Sequence, residues 1–307
     1  MRILIIGKDG QVGGELQAAT AGLGEVIALG HQDLDLTQED AIRNTVRQIG
    51  PALIINAAAY TAVDAAEEDR ELAFRINGWA PGVLAQEAFR LKAGLIHYST
   101  DYVFDGLKSS PYSEDDAPAP LNVYGASKLA GEQEILASNA PAFIFRTSWV
   151  YGTRGKNFFL SMLQLAAVQD EVKVVNDQIG APTWSKSIAS ATADVIQQCF
   201  VEKRFTREKG VARMQSRTGI YNMTAQGATS WFGFAKKILG HLAPWVKIVP
   251  VPTCEYITRA KRPKNSVLSG QKLQSTFGVG LPPWEEPLKS VLKECDDSGE
   301  APRRVQS

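Results

Sequence analysis

Apolar residues follow two alternating rhythms through the first half of the chain. Short β-branched or apolar runs stand at Ile3–Ile6, Val26–Leu29, Leu53–Asn56, Leu95–Tyr98 and Phe143–Phe145. Longer stretches with helical spacing separate them, at Val12–Ala21, Thr37–Ile49, Glu68–Leu91 and Val123–Ala137. A continuous apolar run suits a strand covered on both faces, and alternation with helices predicts βαβ units. Right-handed crossovers then make the expected architecture an α/β fold with a doubly wound, Rossmann-like parallel sheet. Beyond about residue 150 the rhythm breaks. Pro182, Pro244, Pro250, Pro252, Pro263, Pro282 and Pro283 interrupt short elements there, which predicts a smaller, loop-rich lobe returning to the sheet edge.

Composition narrows the function classes. Lys+Arg and Asp+Glu are both 33, so the net charge is zero, which argues against a dedicated nucleic-acid binder. Three cysteines, Cys199, Cys254 and Cys295, lie far apart, and a disulfide framework is not expected. The histidines, His31, His97 and His241, form no zinc-ligand spacing. No apolar run is long enough to span a bilayer, and the N-terminus enters a strand pattern at once, unlike a signal peptide. The expectation is a soluble, cytoplasmic protein. The basic stretch from Glu202 to Arg217 reads as a solvated insertion loop, with an anion- or partner-binding loop as the alternative. Glu15, the run Glu114-Asp115-Asp116 and Glu285-Glu286 read as solvated. A carboxylate-bound Mg²⁺ at a dimer interface is the alternative, and no metal ligand is assigned.

Three motifs carry chemistry. Gly7-Lys8-Asp9-Gly10-Gln11-Val12-Gly13 stands directly after the first strand and opens a helix. Glycines there permit a tight turn and close backbone approach, and the helix N-terminus suits a pyrophosphate. An acid about 20 residues further on is expected to meet an adenosine ribose. Asp33 and Asp35 lie in that region, but the second strand itself ends on Gly30-His31, with neither an acid nor an arginine. NADH and NADPH both remain open. At the next strand end, Asn56-Ala57-Ala58-Ala59-Tyr60-Thr61 offers small residues for a flat ligand. The second motif is Tyr124 with Lys128 four positions later, on one helical face. An ammonium beside a phenol favours its ionised form, and the phenol can protonate a carbonyl oxygen as hydride reaches the carbon. The third is a strand-end hydroxyl, Thr100 first and Ser99 second, able to polarise that carbonyl.

In this order the motifs resemble those of extended short-chain dehydrogenases/reductases, and more narrowly the dTDP-4-dehydrorhamnose reductase family. The matching strings are Gly7–Gly13, Asn56–Asp64, Tyr98–Phe104, Leu121–Glu132, Arg146–Tyr151, Asn176–Thr183 and Ala260–Ser266. The resemblance implies NADH- or NADPH-dependent reduction of the C4 ketone of a dTDP-sugar, feeding dTDP-L-rhamnose supply. It implies Tyr124 as proton donor, Lys128 as its partner, and Thr100 on the substrate carbonyl. Gly10, Gln11 and Val12 would meet the cofactor pyrophosphate, with Gly7 and Gly13 also in the cofactor-binding loop and Asp35 and Leu36 near the adenine. Ala59, Tyr60, Thr61 and Tyr98 would run along the cofactor, and Thr100, Asp101 and Trp149 would contact the deoxysugar. The family often carries an acid where Gly30 stands. Arg259, Lys261 and Arg262 are candidates for the substrate diphosphate, and Trp149 and Trp184 for flat contacts. The implied division is a dinucleotide-binding domain over 1–150, with later chain returning to it, a substrate-binding lobe over 151–295 and a flexible tail over 296–307. A homodimer is left open.

Three other functions use parts of the same pattern. A 4,6-dehydratase needs a carboxylate pair after the strand-end threonine, whereas Thr100-Asp101 is followed by Tyr102. A 4-epimerase or a ketoreductase for another nucleotide sugar would use the same Tyr/Lys pair. A non-catalytic dinucleotide-binding regulator, like the regulatory subunit of methionine adenosyltransferase, would not need it.

Overall fold

The computed structural model describes residues 1–200 and 206–298. Its first half runs β1 (Arg2–Ile6), α1 (Gln11–Thr20), β2 (Glu25–Leu29), α2 (Glu39–Ile49), β3 (Leu53–Asn56), α3 (Arg70–Phe74), α4 (Ala80–Arg90), β4 (Gly94–Thr100), α5 (Val123–Ala137) and β5 (Ala142–Thr147). The second half continues with β6 (Val150–Tyr151), α6 (Phe158–Val168), β7 (Glu171–Val175), β8 (Ile179–Gly180), β9 (Thr183–Trp184), α7 (Ser185–Phe200), α8 (Arg207–Gln215), β10 (Gly219–Asn222), β11 (Thr229–Ser230), α9 (Trp231–Leu242), β12 (Lys247–Val251), α10 (Gln271–Phe277) and α11 (Glu285–Ser298).

Six strands form one parallel sheet in the order β10-β5-β4-β3-β1-β2. The strand period of two sorts its side chains onto two cores. Ile3 and Ile5 face a cluster with Leu16 of α1, Ile188 and Val195 of α7 and Met214 of α8. Leu4 and Ile6 face the opposite cluster, with Ile42 and Val46 of α2 and Val83 and Leu84 of α4. A third core gathers α6, α9 and α11 around Phe159, Phe234, Leu239 and Trp284. This part of the chain is therefore helical rather than loop-rich, and its prolines mark connections between packed helices. Short strand pairs β6–β9, β7–β12 and β8–β11 stitch the connections together.

Three expectations are corrected. The stretch 68–91 is not one helix: α3 and α4 are separated by a π-type turn over Arg75–Trp79. The extra residue in that turn aims the Asn77 side chain inward, where it accepts from the Tyr60 N–H and donates to the Ser127 hydroxyl. The basic stretch is not a loop from 207 onward. Arg207–Gln215 is a helix that buries Val211 and Met214, and the Arg207 guanidinium donates to the carbonyls of Pro51 and Leu91. Its residues 202–205 lie outside the described residues. Asp296, expected to begin a flexible tail, belongs to α11 and lies 2.8 Å from His241 Nε2, while 299–307 are outside the described residues.

Helix α5 is fixed to the sheet by a buried ion pair. Arg146 of β5 donates from Nε and Nη2 to the two oxygens of Glu132, at 2.8 and 2.6 Å, and both side chains are 1% exposed. Neither charge is tolerable there alone. Glu132→Gln is expected to lower the unfolding free energy by about 3–5 kcal/mol in urea titrations, because it strands the Arg146 charge. A loss below about 1 kcal/mol would contradict this role.

Candidate active site

The sheet order reverses between β1 and β3, and a cavity of about 530 Å³ opens there, at the carboxyl ends of the strands. The glycine loop forms one wall. Gly7 adopts φ +92°, which favours glycine, and its N–H bonds the Leu29 carbonyl at 2.8 Å. A Cβ on Gly13 would drive into the Gly7 carbonyl oxygen, so α1 can approach the loop this closely only with glycine there. Helix α1 begins after Gly10 with no side-chain cap, leaving its first N–H groups for an anion. The Gln11 side chain accepts from Asn157 Nδ2 at 2.9 Å, tying the loop to the segment that carries Gly155 and Lys156.

Strand ends and α5 form the opposite wall. The Asn122 side chain caps α5 by accepting from the Gly125 N–H at 2.8 Å. A Cβ on Gly125 would collide with the Tyr102 carbonyl, so its absence lets the first turn of α5 press against the end of β4. Tyr124 is thereby brought beside the Thr100 hydroxyl, and its ring meets Tyr102 edge-on at 5.9 Å. Burial pushes the Tyr124 phenol up to about 12, with the Thr100 hydroxyl acting the other way. One turn along, Lys128 is buried. Its Nζ donates to the Tyr98 carbonyl at 2.6 Å and lies 3.2 Å from His97 Nε2. Burial brings its ammonium down to about 8, while Glu132 acts to hold it up. His97 is kept neutral by burial and then by the Lys128 charge, and its Nδ1 lies 3.1 Å from Asn56 Nδ2. Thr100 donates to Asp101 Oδ1 at 3.0 Å, and burial pushes the Asp101 carboxyl up to about 7.

Gly7, Gly10, Gln11, Val12, Leu36, Ala59, Thr61, Tyr98, Tyr124 and Lys128 all line the one cavity. Gly13 lies behind the loop. Asp35 is turned away, accepting from the N–H and hydroxyl of Thr37, and the Tyr60 hydroxyl donates to Asp69. Thr100 and Asp101 stand just behind Tyr124 and not on the cavity wall. Trp149 stacks face to face on Trp231 at 3.5 Å, with Gly180 against its ring. Of the basic cluster, Arg262 pairs with Asp64 at 2.6 Å and Arg259 with Glu68 at 2.7 Å, while Lys261 offers its carbonyl to Asn122. Trp184 sits under Lys186, 5.1 Å from its ring centroid. Asp9, Gly30, His31, Gly155 and Lys156 also form the walls. Only the first two lie at positions a dinucleotide motif marks, and the glycine-and-lysine turn at 155–156 was the one further sequence signal. Among the described residues no three His, Cys, Asp or Glu side chains group as a metal site, and no helix is long and apolar enough to cross a membrane.

The sheet, the glycine loop at its switch point and the Tyr/Lys helix define a dinucleotide-dependent oxidoreductase of Rossmann-like fold. Comparison with known proteins narrows the class: a family model described as RmlD substrate binding domain matches residues 1–296, and the chain belongs to that family. It is 46% identical to a dTDP-4-dehydrorhamnose reductase of Burkholderia thailandensis, covering 92% of this chain and 95% of the relative. It is 42% identical to the Escherichia coli K12 protein of the same name, over 96% of this chain and 98% of that one. The crystal structure of the Bacillus anthracis dTDP-4-dehydrorhamnose reductase in complex with NADP superposes with a TM-score of 0.86 at 35% identity, covering 95% of this chain and 99% of that one.

The buried Asp101 gives a pH signature. An aspartate ordinarily ionises near 4, so the folded chain keeps a proton that the unfolded chain releases. Its contribution to stability is full below about pH 4 and is lost as the pH rises through about 7. Lys128 is charged in both states below about pH 8 and adds no slope there, whereas neutral His97 adds the opposite slope at acid pH. The difference between Asp101→Asn and the parent therefore isolates the carboxyl. Urea unfolding across this range is expected to show the variant gaining relative stability as pH rises, and a constant difference contradicts it.

Proposed function

We propose that the chain is an NAD(P)H-dependent reductase that converts the C4 ketone of dTDP-4-dehydro-β-L-rhamnose to the alcohol of dTDP-L-rhamnose. The observation that carries this reading is the placement of Tyr124 and Lys128, one helical turn apart, on the same cavity as the glycine loop. That cavity fits a dinucleotide: its loop is shaped for close backbone approach, and its helix N-terminus is uncapped. Gly10, Gln11 and Val12 would hold the pyrophosphate, Leu36 would lie against the adenine side, and Lys128 would hold the nicotinamide ribose. When bound, the reduced nicotinamide supplies the hydride.

The side chains of this chain supply the rest. Tyr124 donates its phenolic proton to the ketone oxygen as negative charge develops there. The Thr100 hydroxyl, anchored on Asp101 and beside Tyr124, positions the phenol for that transfer. Lys128 stabilises the phenolate left behind. Its ammonium is held in place by the Tyr98 carbonyl, one helical turn along α5 from Tyr124. The neighbours named for the same reaction at 40% identity or more, across nearly the whole chain, support the substrate. We place this reaction in the cytoplasm.

Tyr124→Phe removes the proton donor and leaves the cavity's shape nearly unchanged. Loss of dinucleotide absorbance with dTDP-4-dehydro-L-rhamnose is expected to slow by about 10²–10⁴-fold, with cofactor affinity little altered. Parent-like turnover in the variant contradicts the role, and a parent protein with no substrate-dependent oxidation favours the regulatory reading instead.

A further inference from the structure

The end of β2 is where a dinucleotide-binding fold reads the adenosine ribose, and it normally does so with an acid. Here Gly30 follows directly on the last strand residue, Leu29. The position is bare of side chain, yet it is not empty. A Cβ built on Gly30 would fall on Asp9 Oδ2, and Lys8 Cε would lie 3.2 Å away. Asp9 comes from the glycine loop, folds over the strand end and lines the cavity beside Gly30 and His31. Gly30 is therefore what makes room for the Asp9 carboxylate.

The charges around this point decide what it can bind. Lys8 is the nearest cation, and its Nζ sits 2.5 Å from Asp33 Oδ2. The same Asp33 oxygen accepts from the Gly30 N–H at 2.8 Å, so the ion pair is braced by the backbone. Lys8 contacts Asp33 directly and also feels the Asp9 charge, so the three side chains together carry one net negative charge. The Asp9 carboxylate has no hydrogen-bond partner among the described residues. Lys156, the other cation on the wall, adjoins Gly155, which packs against Gln11 at the pyrophosphate end of the cavity. Asp35, the other acid near this strand end, has its carboxylate occupied by Thr37.

We infer that Asp9 is the ribose-reading acid of this chain, supplied from the glycine loop in place of the strand end, and that it selects NADH over NADPH. A free carboxylate accepts hydrogen bonds from vicinal ribose hydroxyls and repels a 2′-phosphate dianion. The inference rests on the proposed dinucleotide cavity and adds its cofactor class. Asp9 is exposed and makes no core contact, so its replacement leaves the fold intact.

The test is equilibrium binding, followed by the fluorescence of NADH and NADPH on titration with protein and independent of turnover. The parent is expected to bind NADH at least about tenfold more tightly. Asp9→Ala should reduce that ratio to near unity, chiefly by weakening NADH and admitting NADPH. Adding Gly30→Asp to Asp9→Ala moves the acid back to the strand end and should restore the preference. Equal affinities in the parent, or a ratio untouched by Asp9→Ala, overturn the role of Asp9 while leaving the cavity reading standing. A parent that binds neither dinucleotide overturns both.

Discussion

Helix α5 has to carry a lysine and a glutamate into the protein interior, and the site depends on how those two charges are satisfied. Lys128 reaches the Tyr98 carbonyl and the neighbourhood of His97, while Glu132, one turn on, meets Arg146 in a two-bonded pair. Both anchors lie on adjacent central strands, β4 and β5. Together they fix the rotation and the height of α5 against the sheet. Tyr124, one turn before Lys128, then has a single place to go, at the cavity. A buried pair of this kind contributes little net stability relative to apolar packing, but it specifies one docking of the helix. That precision is what a proton donor needs, since its reach is one hydrogen bond.

Close backbone approach is the second constraint, and it operates at two places. Gly13 lets α1 meet the loop that Gly7 turns, and Gly125 lets α5 meet the end of β4. The first approach presents helix N–H groups to the cavity, and the second brings Tyr124 to Thr100. The strain of the left-handed conformation is confined to Gly7 in the loop, where no side chain resists it. Asn77, aimed by the π-type turn, holds the Tyr60 backbone and Ser127 together, so the end of the β3 connection and α5 move as one wall.

Much of this was legible in the residue pattern, for identifiable reasons. The first five strands each carry a short apolar run, and each lies within a residue or two of its expected place. The glycine loop and the Tyr/Lys spacing are local in sequence, and both come out on the cavity they were expected to form. What escaped was decided by contacts distant in sequence. Short pairs such as β6–β9 have no periodicity of their own, and the π-type turn looks helical residue by residue. The acid expected about 20 residues after the loop is a further case. Asp35 satisfies the spacing, yet its carboxylate is taken by Thr37, a local competition that favours a turn over a ligand. Trp149 offers a flat face in sequence, and Trp231 covers it in the fold.

In the proposed reaction this cavity delivers hydride from a dinucleotide to a sugar ketone, with its protons handled by Tyr124, Lys128 and Thr100. It is tested most directly by following the hydrogen itself. The protein is incubated with dTDP-4-dehydro-L-rhamnose and NADH deuterated at nicotinamide C4, and the sugar product is analysed by NMR. Deuterium is expected at C4 of the rhamnosyl ring, with one equivalent of oxidised cofactor per alcohol formed. Rhamnosyl C4 formed without deuterium from NADH carrying deuterium at both C4 positions, or a sugar product formed with no net cofactor oxidation, would contradict the proposed reaction.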